Sequence, residues 1–212
     1  MPRRESDRDY GGVSALTRRV ERRKKLIAAG RRVWGTRGVD GVSVRGVCAD
    51  AGLTSRYFYE HFAGRDELIT DVAGEVWADI LGLLVSTGLR TEGGLEPRLQ
   101  EALTTLFDLL IDDPSVHRIV TDVTTASSLT NLRSEALDQL IDSVLQFGPA
   151  LMDVELPGPA QVRHGAIFIV GGITAILQDW LLHSTESASE LAATCTRLTM
   201  ATITAAGLEA GP

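Results

Sequence analysis

Residues 43–62 read SVRGVCADAGLTSRYFYEHF, and this stretch decides the fold of the first third of the chain. Ser43 is a favoured N-cap residue, so we predict a short helix from there through Ala51. Gly52 then interrupts the helical pattern, as expected of a tight turn. The positions that would face inward, at i, i+3 and i+4 of the first helix, are Val44, Val47 and Cys48.

A second short helix is predicted after this turn, capped by Thr54 and running to about Phe62. Phe58 and Phe62 lie four residues apart and would share its inward face. Arg56, Tyr57 and Glu60 would point away from that face. Two short helices joined at a glycine turn indicate a helix-turn-helix, whose second helix enters the major groove of DNA.

The residues before this motif predict a supporting helix. From Thr17 the sequence has helical periodicity, and Gly38 is expected to end the helix. Residues 1–16 are polar and are expected to form a disordered arm. The inward face of the helix would carry Leu26, Ile27, Gly30, Val33 and Trp34.

Charge divides the chain in two. Residues 1–65 hold 15 Lys and Arg against 7 Asp and Glu, a net charge of +8, whereas the remainder holds 6 and 21, a net charge of −15. A basic region suits a polyanion, because neutralising phosphates releases counterions. The basic cluster within residues 18–25 either contacts DNA or is simply a solvated helix face.

Composition excludes several classes of protein. With 212 residues, 44% hydrophobic and 23% charged, wholesale disorder is ruled out. Cys48 and Cys195 match neither a disulfide framework nor a metal-ligand spacing. We see no signal peptide, and the apolar run 165–177 is shorter than the roughly 20 residues of a membrane span. We therefore expect no membrane partner and a cytoplasmic location, at the nucleoid when DNA is bound.

The remaining sequence predicts further helices and no strands. We find no phosphate-binding glycine loop, nucleophile motif or metal-spaced cluster, so we expect no enzyme, no cofactor and no metal. The fold class is all-α, with a helix-turn-helix domain at residues 17–65 and a helical domain at 66–212. The predicted helices of the second domain are 66–88, 96–112, 115–126, 129–147, 160–183 and 187–208.

Residues from about Leu26 to Leu68, a fifth of the chain, resemble the N-terminal domain of TetR-family transcriptional regulators. The resemblance implies an N-terminal three-helix DNA-binding domain followed by a helical effector-binding and dimerisation domain. The matching residues are Leu26-Ile27-Ala28-Ala29, Val33-Trp34, Gly38, Ser43-Val44-Arg45, Ala51-Gly52-Leu53-Thr54, Phe58-Tyr59, His61-Phe62 and Arg65-Asp66-Glu67-Leu68.

The same resemblance implies which residues contact DNA. Ser43 would bond a phosphate and Arg45 a guanine edge. Two positions depart from the family: Arg56 stands where Gly or Pro is frequent, and Glu60 where an aromatic is frequent. Glu60 would repel phosphate unless it accepts from a cytosine or pairs with Arg56. Tyr57 and Tyr59 could instead be packing residues. The remaining predicted contacts are Ser55, Arg56 and Tyr57 at bases, Tyr59, His61 and Arg65 at phosphates, and Thr54 at DNA without an assigned group.

The resemblance also implies a homodimer that reads a palindromic operator. The sequence supports this independently, because the last two long helices carry an apolar stripe with small residues. The alternative is that both helices form the internal core of a monomer. The predicted interface residues are Ile167, Val170, Gly171, Thr174, Leu177, Trp180, Leu181 and Leu198.

An apolar effector pocket is expected between the helices of the second domain. The chain would then be a repressor released from DNA by a small apolar or amphipathic molecule. The alternative is a DNA-binding regulator or architectural protein without an effector. His117 is either a ligand contact or a structural histidine. The predicted effector contacts are Trp77, Leu106, Leu110, His117, Val120, Phe147 and Phe168.

Overall fold

A computed structural model of the chain describes residues 15–125, 129–152, 159–183 and 186–205. These residues form nine α-helices and a short 3₁₀ turn at Val39–Gly41, with no β-strand among them. The all-α prediction is therefore confirmed. The helices are α1 Ala15–Arg37, α2 Val44–Ala51, α3 Ser55–Tyr59, α4 Arg65–Arg90, α5 Leu95–Asp112, α6 Pro114–Thr125, α7 Thr130–Met152, α8 Pro159–His183 and α9 Ala188–Ala205.

Two predicted helix ends were wrong. Helix α3 ends at Tyr59 instead of Phe62, because residues 60–61 form a turn that carries Phe62 back into the core. Helix α7 continues past residue 147 to Met152, so Gly148-Pro149 does not end it. A proline inside a helix removes one backbone hydrogen bond, and the rest of the ladder continues here. The predicted arm 1–16 lies outside the described residues except for its last two, which begin α1.

The first three helices pack around large apolar side chains. Trp34 and Phe58 are fully buried, and Phe62 is almost fully so. This cluster continues without a break through α4 into the helices behind it, where the Phe107 and Trp180 rings pack with their centroids 5.8 Å apart. The helix-turn-helix therefore rests on the same apolar core as the rest of the chain.

Helix α1 also crosses α6 closely, at Gly35. A Cβ atom on Gly35 would lie 2.7 Å from Cα of Ser115, a backbone atom that cannot move aside independently. Glycine thus allows the approach of the two helices.

We expect Gly35→Ala to lower the free energy of unfolding by about 1–3 kcal/mol, because the methyl group forces α1 and α6 apart. Urea denaturation at fixed protein concentration measures this. Gly82→Ala is the matched control, since Gly82 is exposed within α4 and a Cβ there meets nothing within 4 Å. That variant should gain up to about 1 kcal/mol from helix propensity. Equal stability of the two variants would contradict the prediction.

Candidate nucleic-acid interface and ligand cavity

The turn between α2 and α3 is formed by a left-handed glycine. Gly52 has φ +65° and ψ +32°, and its N–H donates to Ala49 O over 3.4 Å. The N–H of Leu53 donates to Cys48 O over 2.9 Å. This conformation is costly for residues with a Cβ, so the predicted glycine turn has a direct structural reason.

Helix α2 begins as predicted. The Ser43 Oγ accepts a hydrogen bond from the Gly46 N–H over 3.1 Å and so caps the helix. The Ser43 hydroxyl hydrogen remains available for another acceptor, and the residue is exposed. Arg45, the second residue of α2, is exposed as well. Both groups can reach an anionic ligand in front of the helix N-terminus.

Helix α3 presents a polar surface beside these residues. Thr54, Ser55 and Arg56 are exposed, and Tyr59 has 61% of its surface exposed. Thr54 occupies the N-cap position, but its side chain makes no cap hydrogen bond, so the predicted side-chain cap is absent. The exposed phenol of Tyr59 is anchored by an edge-on contact with the buried Phe58 ring.

Tyr57 lies half-buried beneath a basic side chain of α1. The Arg22 guanidinium carbon stands 4.0 Å from the centre of the Tyr57 ring, a cation–π arrangement. Tyr57 therefore has a packing role. This was one of the two interpretations of the sequence, the other being a contact with a base. The same contact joins the basic face of α1 to α3.

The Glu60 carboxylate forms ion pairs with two arginines. Its carboxylate lies 3.6 Å from Arg56 Nε and 3.7 Å from an Arg22 terminal nitrogen. The predicted pairing of Glu60 with Arg56 is therefore present. This pairing reduces the repulsion that an isolated carboxylate would exert on a phosphate.

The ring of His61 is partly buried near arginines of α1. Burial of the ring, assisted by the neighbouring Arg19 guanidinium, lowers the pKa of His61 below its ordinary value. Its Nε2 is buried and has no partner among the described residues. The lowered pKa disfavours the charged form of His61, and with Nε2 buried a phosphate would have to approach another part of the ring.

Arg65, for which the sequence predicted a phosphate contact, is hydrogen-bonded to backbone carbonyls of its own chain. Its Nε donates to Val42 O over 2.8 Å, and a terminal nitrogen donates to Val39 O over 2.6 Å. The other terminal nitrogen lies 3.1 Å from Asp66 Oδ1. Arg65 thus fixes the loop before α2 to the start of α4, and its contact with DNA stays a prediction.

Asp122 joins α6 to the helix-turn-helix. Its Oδ2 accepts from Trp34 Nε1 over 2.8 Å and from the Val39 N–H over 2.9 Å. Its Oδ1 lies 3.3 Å from Arg118 Nε. One carboxylate therefore holds the end of α1 and the 3₁₀ turn against α6.

An apolar cavity of about 250 Å³ lies among α4, α5, α7, α8 and α9. Of the seven predicted effector contacts, Trp77, Leu106 and Phe147 line it. Helix α4 runs along its length, contributing six residues at helical spacing. These α4 residues are Trp77, Ile80, Leu81, Leu84, Val85 and Gly88.

The other four predicted effector contacts lie elsewhere. Leu110 and Val120 are buried in the main core, where α5 and α6 pack. His117 Nδ1 is 3.1 Å from Leu110 O, so His117 is the structural histidine of the two alternatives. Phe168 is 69% exposed on the outer side of α8. The sequence did not single out Arg98, which lines the cavity at the start of α5.

The predicted interface residues fall on both sides of α8. Val170, Leu177, Trp180 and Leu181 are buried within their own chain, so they were wrongly assigned to a surface. Gly171 and Thr174 are half-buried. Only Ile167 on α8 and Leu198 on α9 are exposed, at 40% and 50%.

One helix in the described part of the chain is long and apolar enough to cross a membrane. This segment, Arg163–His183, has a mean hydropathy of 1.7 and is 28% buried within the chain. The sequence interpretation counted only its uninterrupted 13-residue apolar run and so underestimated it. Length and composition of this kind also occur in core helices of soluble proteins.

The described residues contain no cluster of His, Cys, Asp and Glu side chains that could hold a metal ion. Both cysteines are buried and unpaired. Burial raises the pKa of the Cys195 thiol to about 11, and it raises that of Cys48 as well. Neither thiol is therefore activated as a nucleophile near neutral pH.

Fold and surface together define an all-helical protein with an N-terminal helix-turn-helix. Residues 26–72 match the family described as bacterial regulatory proteins, tetR family. This match, over about a fifth of the chain, supports the resemblance of its N-terminal part to TetR-family transcriptional regulators. Over 104 residues the chain is 33% identical to YdgC, an uncharacterized HTH-type transcriptional regulator of Bacillus subtilis (strain 168). This match covers 47% of the chain and only 53% of that relative, about half its length.

Solved structures show the same fold over most of the chain. A tetR-family transcriptional regulator from Streptomyces coelicolor superposes with a TM-score of 0.74 at 18% identity, covering 89% of this chain and 83% of that one. SmeT, the repressor of the Stenotrophomonas maltophilia multidrug efflux pump SmeDEF, superposes with a TM-score of 0.65 at 16% identity, covering 84% and 88%.

Proposed function

We propose that the chain is a homodimeric, sequence-specific DNA-binding repressor that a small apolar or amphipathic effector releases from its operator. The observation that carries the proposal is the exposed surface formed by Ser43 and Arg45 on α2 and by Arg56 and Tyr59 on α3. The division into a DNA-binding part, 17–65, and a ligand-binding part, 66–212, belongs to the same proposal. Such a protein would act in the cytoplasm, at the nucleoid.

Within this surface the residues have different roles. Ser43 and Tyr59 would bond phosphates, and Arg45 would pair with a guanine edge. Thr54, Ser55 and Arg56 would meet bases in the major groove. Tyr57 and Arg65 would act mainly by supporting this surface, since each is held by neighbours in its own chain. The buried Nε2 of His61 also leaves that residue mainly a supporting role.

A second copy of the chain would pair through the outer face of α8. Phe168 and Leu182 on that face are 69% and 59% exposed, and the small residues Gly172 and Ala175 lie between them at helical spacing. Small residues let two helices approach closely, and α9 adds the exposed Leu198 beside them. A twofold axis here would give two recognition helices for the two halves of a palindrome.

The cavity favours a regulator that responds to an effector. It argues against the alternative, a DNA-binding regulator or architectural protein without an effector. A protein that only binds DNA has no use for an apolar cavity of about 250 Å³ in its second domain. Asp122 offers a physical connection, because it fixes the end of α1 to α6, a helix of that domain. Effector binding that displaced α6 would change the position of the recognition helix.

Operator selection from random duplex DNA, followed by sequencing, tests the proposed function directly. Enrichment of a palindrome is the expected result. Binding that depends on salt but enriches no sequence would contradict it, because the basic surface would then recognise only the DNA backbone.

We expect Tyr59→Ala to reduce affinity for the selected operator about ten- to hundredfold, because it removes a phosphate contact and exposes the edge of Phe58. Fluorescence anisotropy with labelled operator measures the loss. Tyr59→Phe keeps the ring and loses the hydroxyl, so its affinity for the operator should lie between those of the wild type and of Tyr59→Ala. Sedimentation should show an unchanged dimer, and loss of the dimer in Tyr59→Ala would contradict the separation of roles.

A further inference from the structure

Among the described residues that line the cavity, one side chain is charged, and that side chain is a cation. Arg98 stands at the start of α5, whereas the lining contributed by the other helices is apolar apart from three hydroxyl-bearing residues. Two of these, Ser143 and Thr174, donate to carbonyls of their own helices, Gln139 O and Val170 O. The described lining residues include no carboxylate.

The turn before α5 orients Arg98. Its Nε donates to Gly93 O over 2.9 Å. Gly93 has φ +100°, and a Cβ there would lie 2.9 Å from Pro97 Cγ, so a glycine is needed for this turn. Among the described residues, no carboxylate forms an ion pair with the guanidinium. The nitrogens that remain can pair with an acceptor from outside the chain.

The cavity is elongated. Its α4 residues extend from Trp77 to Gly88, which corresponds to about 16 Å at 1.5 Å per residue. Helix α5 lines it over a similar length, from Leu95 to Leu106. Arg98 is near the end marked by Gly88 and Leu95, and Trp77 marks the opposite end. The indole Nε1 of Trp77 is buried without a partner among the described residues.

From this arrangement we infer that the cavity binds a straight-chain carboxylate, with its carboxylate on Arg98 and its alkyl chain directed along α4 toward Trp77. A length of 16 Å accommodates about ten to twelve carbons in a staggered chain. The inference rests on the proposed function, because it takes this cavity as the effector site.

Charge and shape together favour this ligand class. A guanidinium beside apolar walls pairs strongly with a carboxylate, in a charge-assisted and often bidentate contact. A cationic amphiphile would be repelled by Arg98 and would find no carboxylate among the described lining residues. The extent of the cavity along α4 and α5 favours a long molecule over a compact polycyclic one.

Calorimetric titration of the purified, full-length chain with decanoate and with 1-decanol tests the inference. Wild-type protein should bind decanoate about ten- to hundredfold more tightly than the alcohol. Arg98→Gln should abolish that preference while leaving the affinity for 1-decanol unchanged, and Arg98→Lys should retain part of it. Arg90→Gln is the matched control, because Arg90 lies outside the cavity lining and should bind as wild type does.

The length of the chain is a second readout. Affinity should rise about fourfold per added methylene from octanoate to dodecanoate, and then stop rising once the slot is filled. Equal affinity for decanoate and 1-decanol, absence of binding, or an equal loss of both ligands in a folded Arg98→Gln protein would overturn the inference. Circular dichroism verifies folding of each variant.

Operator release, measured separately, distinguishes this inference from the proposed function. Carboxylate binding that depends on Arg98 but leaves operator affinity unchanged would uphold the ligand class and contradict the repressor mechanism. A palindromic operator released only by uncharged molecules would uphold the mechanism and contradict the ligand class.

Discussion

An Ala175→Arg variant should sediment as a monomer and bind its operator at least about a hundredfold more weakly than the wild-type chain. Ala175 is exposed near the middle of the α8 face that carries Phe168 and Leu182. In a symmetric pair of α8 helices the arginine would meet apolar side chains and its own copy, and burying unpaired charge is costly. A monomer has one recognition helix, so it loses the gain in effective concentration from joining two half-sites.

Ala78→Arg is the matched control for this experiment. Ala78 is also an exposed alanine within a long helix, but it lies on α4, away from α8 and α9. That variant should keep both the dimer and the operator affinity. An Ala175→Arg protein that remained dimeric would show that the chain pairs through another surface. The outer face of α8 would then have to contact something other than a second copy of the chain.

The sequence predicted the helix-turn-helix well because its signals are local. A serine cap, a glycine turn and two phenylalanines four residues apart each act within one or two helical turns, and all were found as expected. The predicted start of α4 and the predicted length of α5 each differ from the structure by one residue, for the same reason.

The orientation of α8 could not be obtained in this way. Apolar residues occur all around it: Phe168 points outward and Val170 inward, although both belong to one apolar run. A helix without a polar face has no periodicity from which a buried side can be identified. Only its packing against α7 and α9 decides which residues remain for a partner.

Polar contacts between residues far apart in the chain could not be predicted from the sequence either. The positive charge of Arg65 suggested a phosphate contact, yet two backbone carbonyls more than twenty residues away hold it. Arg98 was overlooked because a single arginine at a helix start is unremarkable until the cavity beside it is visible. Asp122 and Trp34 are 88 residues apart in sequence, and no local pattern connects them.

Asp122→Ala should lower the free energy of unfolding by about 2–4 kcal/mol, because it leaves two donors without an acceptor. The Trp34 indole is fully buried and Val39 is 7% exposed, so water cannot readily replace the carboxylate at either N–H. In a chain of this size the loss corresponds to a fall in melting temperature of roughly 5–15 °C. Differential scanning calorimetry at fixed protein concentration measures it.

Two further variants separate the hydrogen bonds from the charge of Asp122. Asp50→Ala removes an aspartate that pairs with Arg32 at the surface, and it should cost less than about 1 kcal/mol. Asp122→Asn keeps an acceptor oxygen for Trp34 and Val39 but loses the attraction to Arg118, so its stability should lie between those of the wild type and Asp122→Ala. If Asp122→Ala were no less stable than Asp50→Ala, the contact between α6 and the end of α1 would contribute little. Coupling between cavity and recognition helix would then have to run through α4, which is continuous from Arg65 beside the helix-turn-helix to Gly88 in the cavity wall.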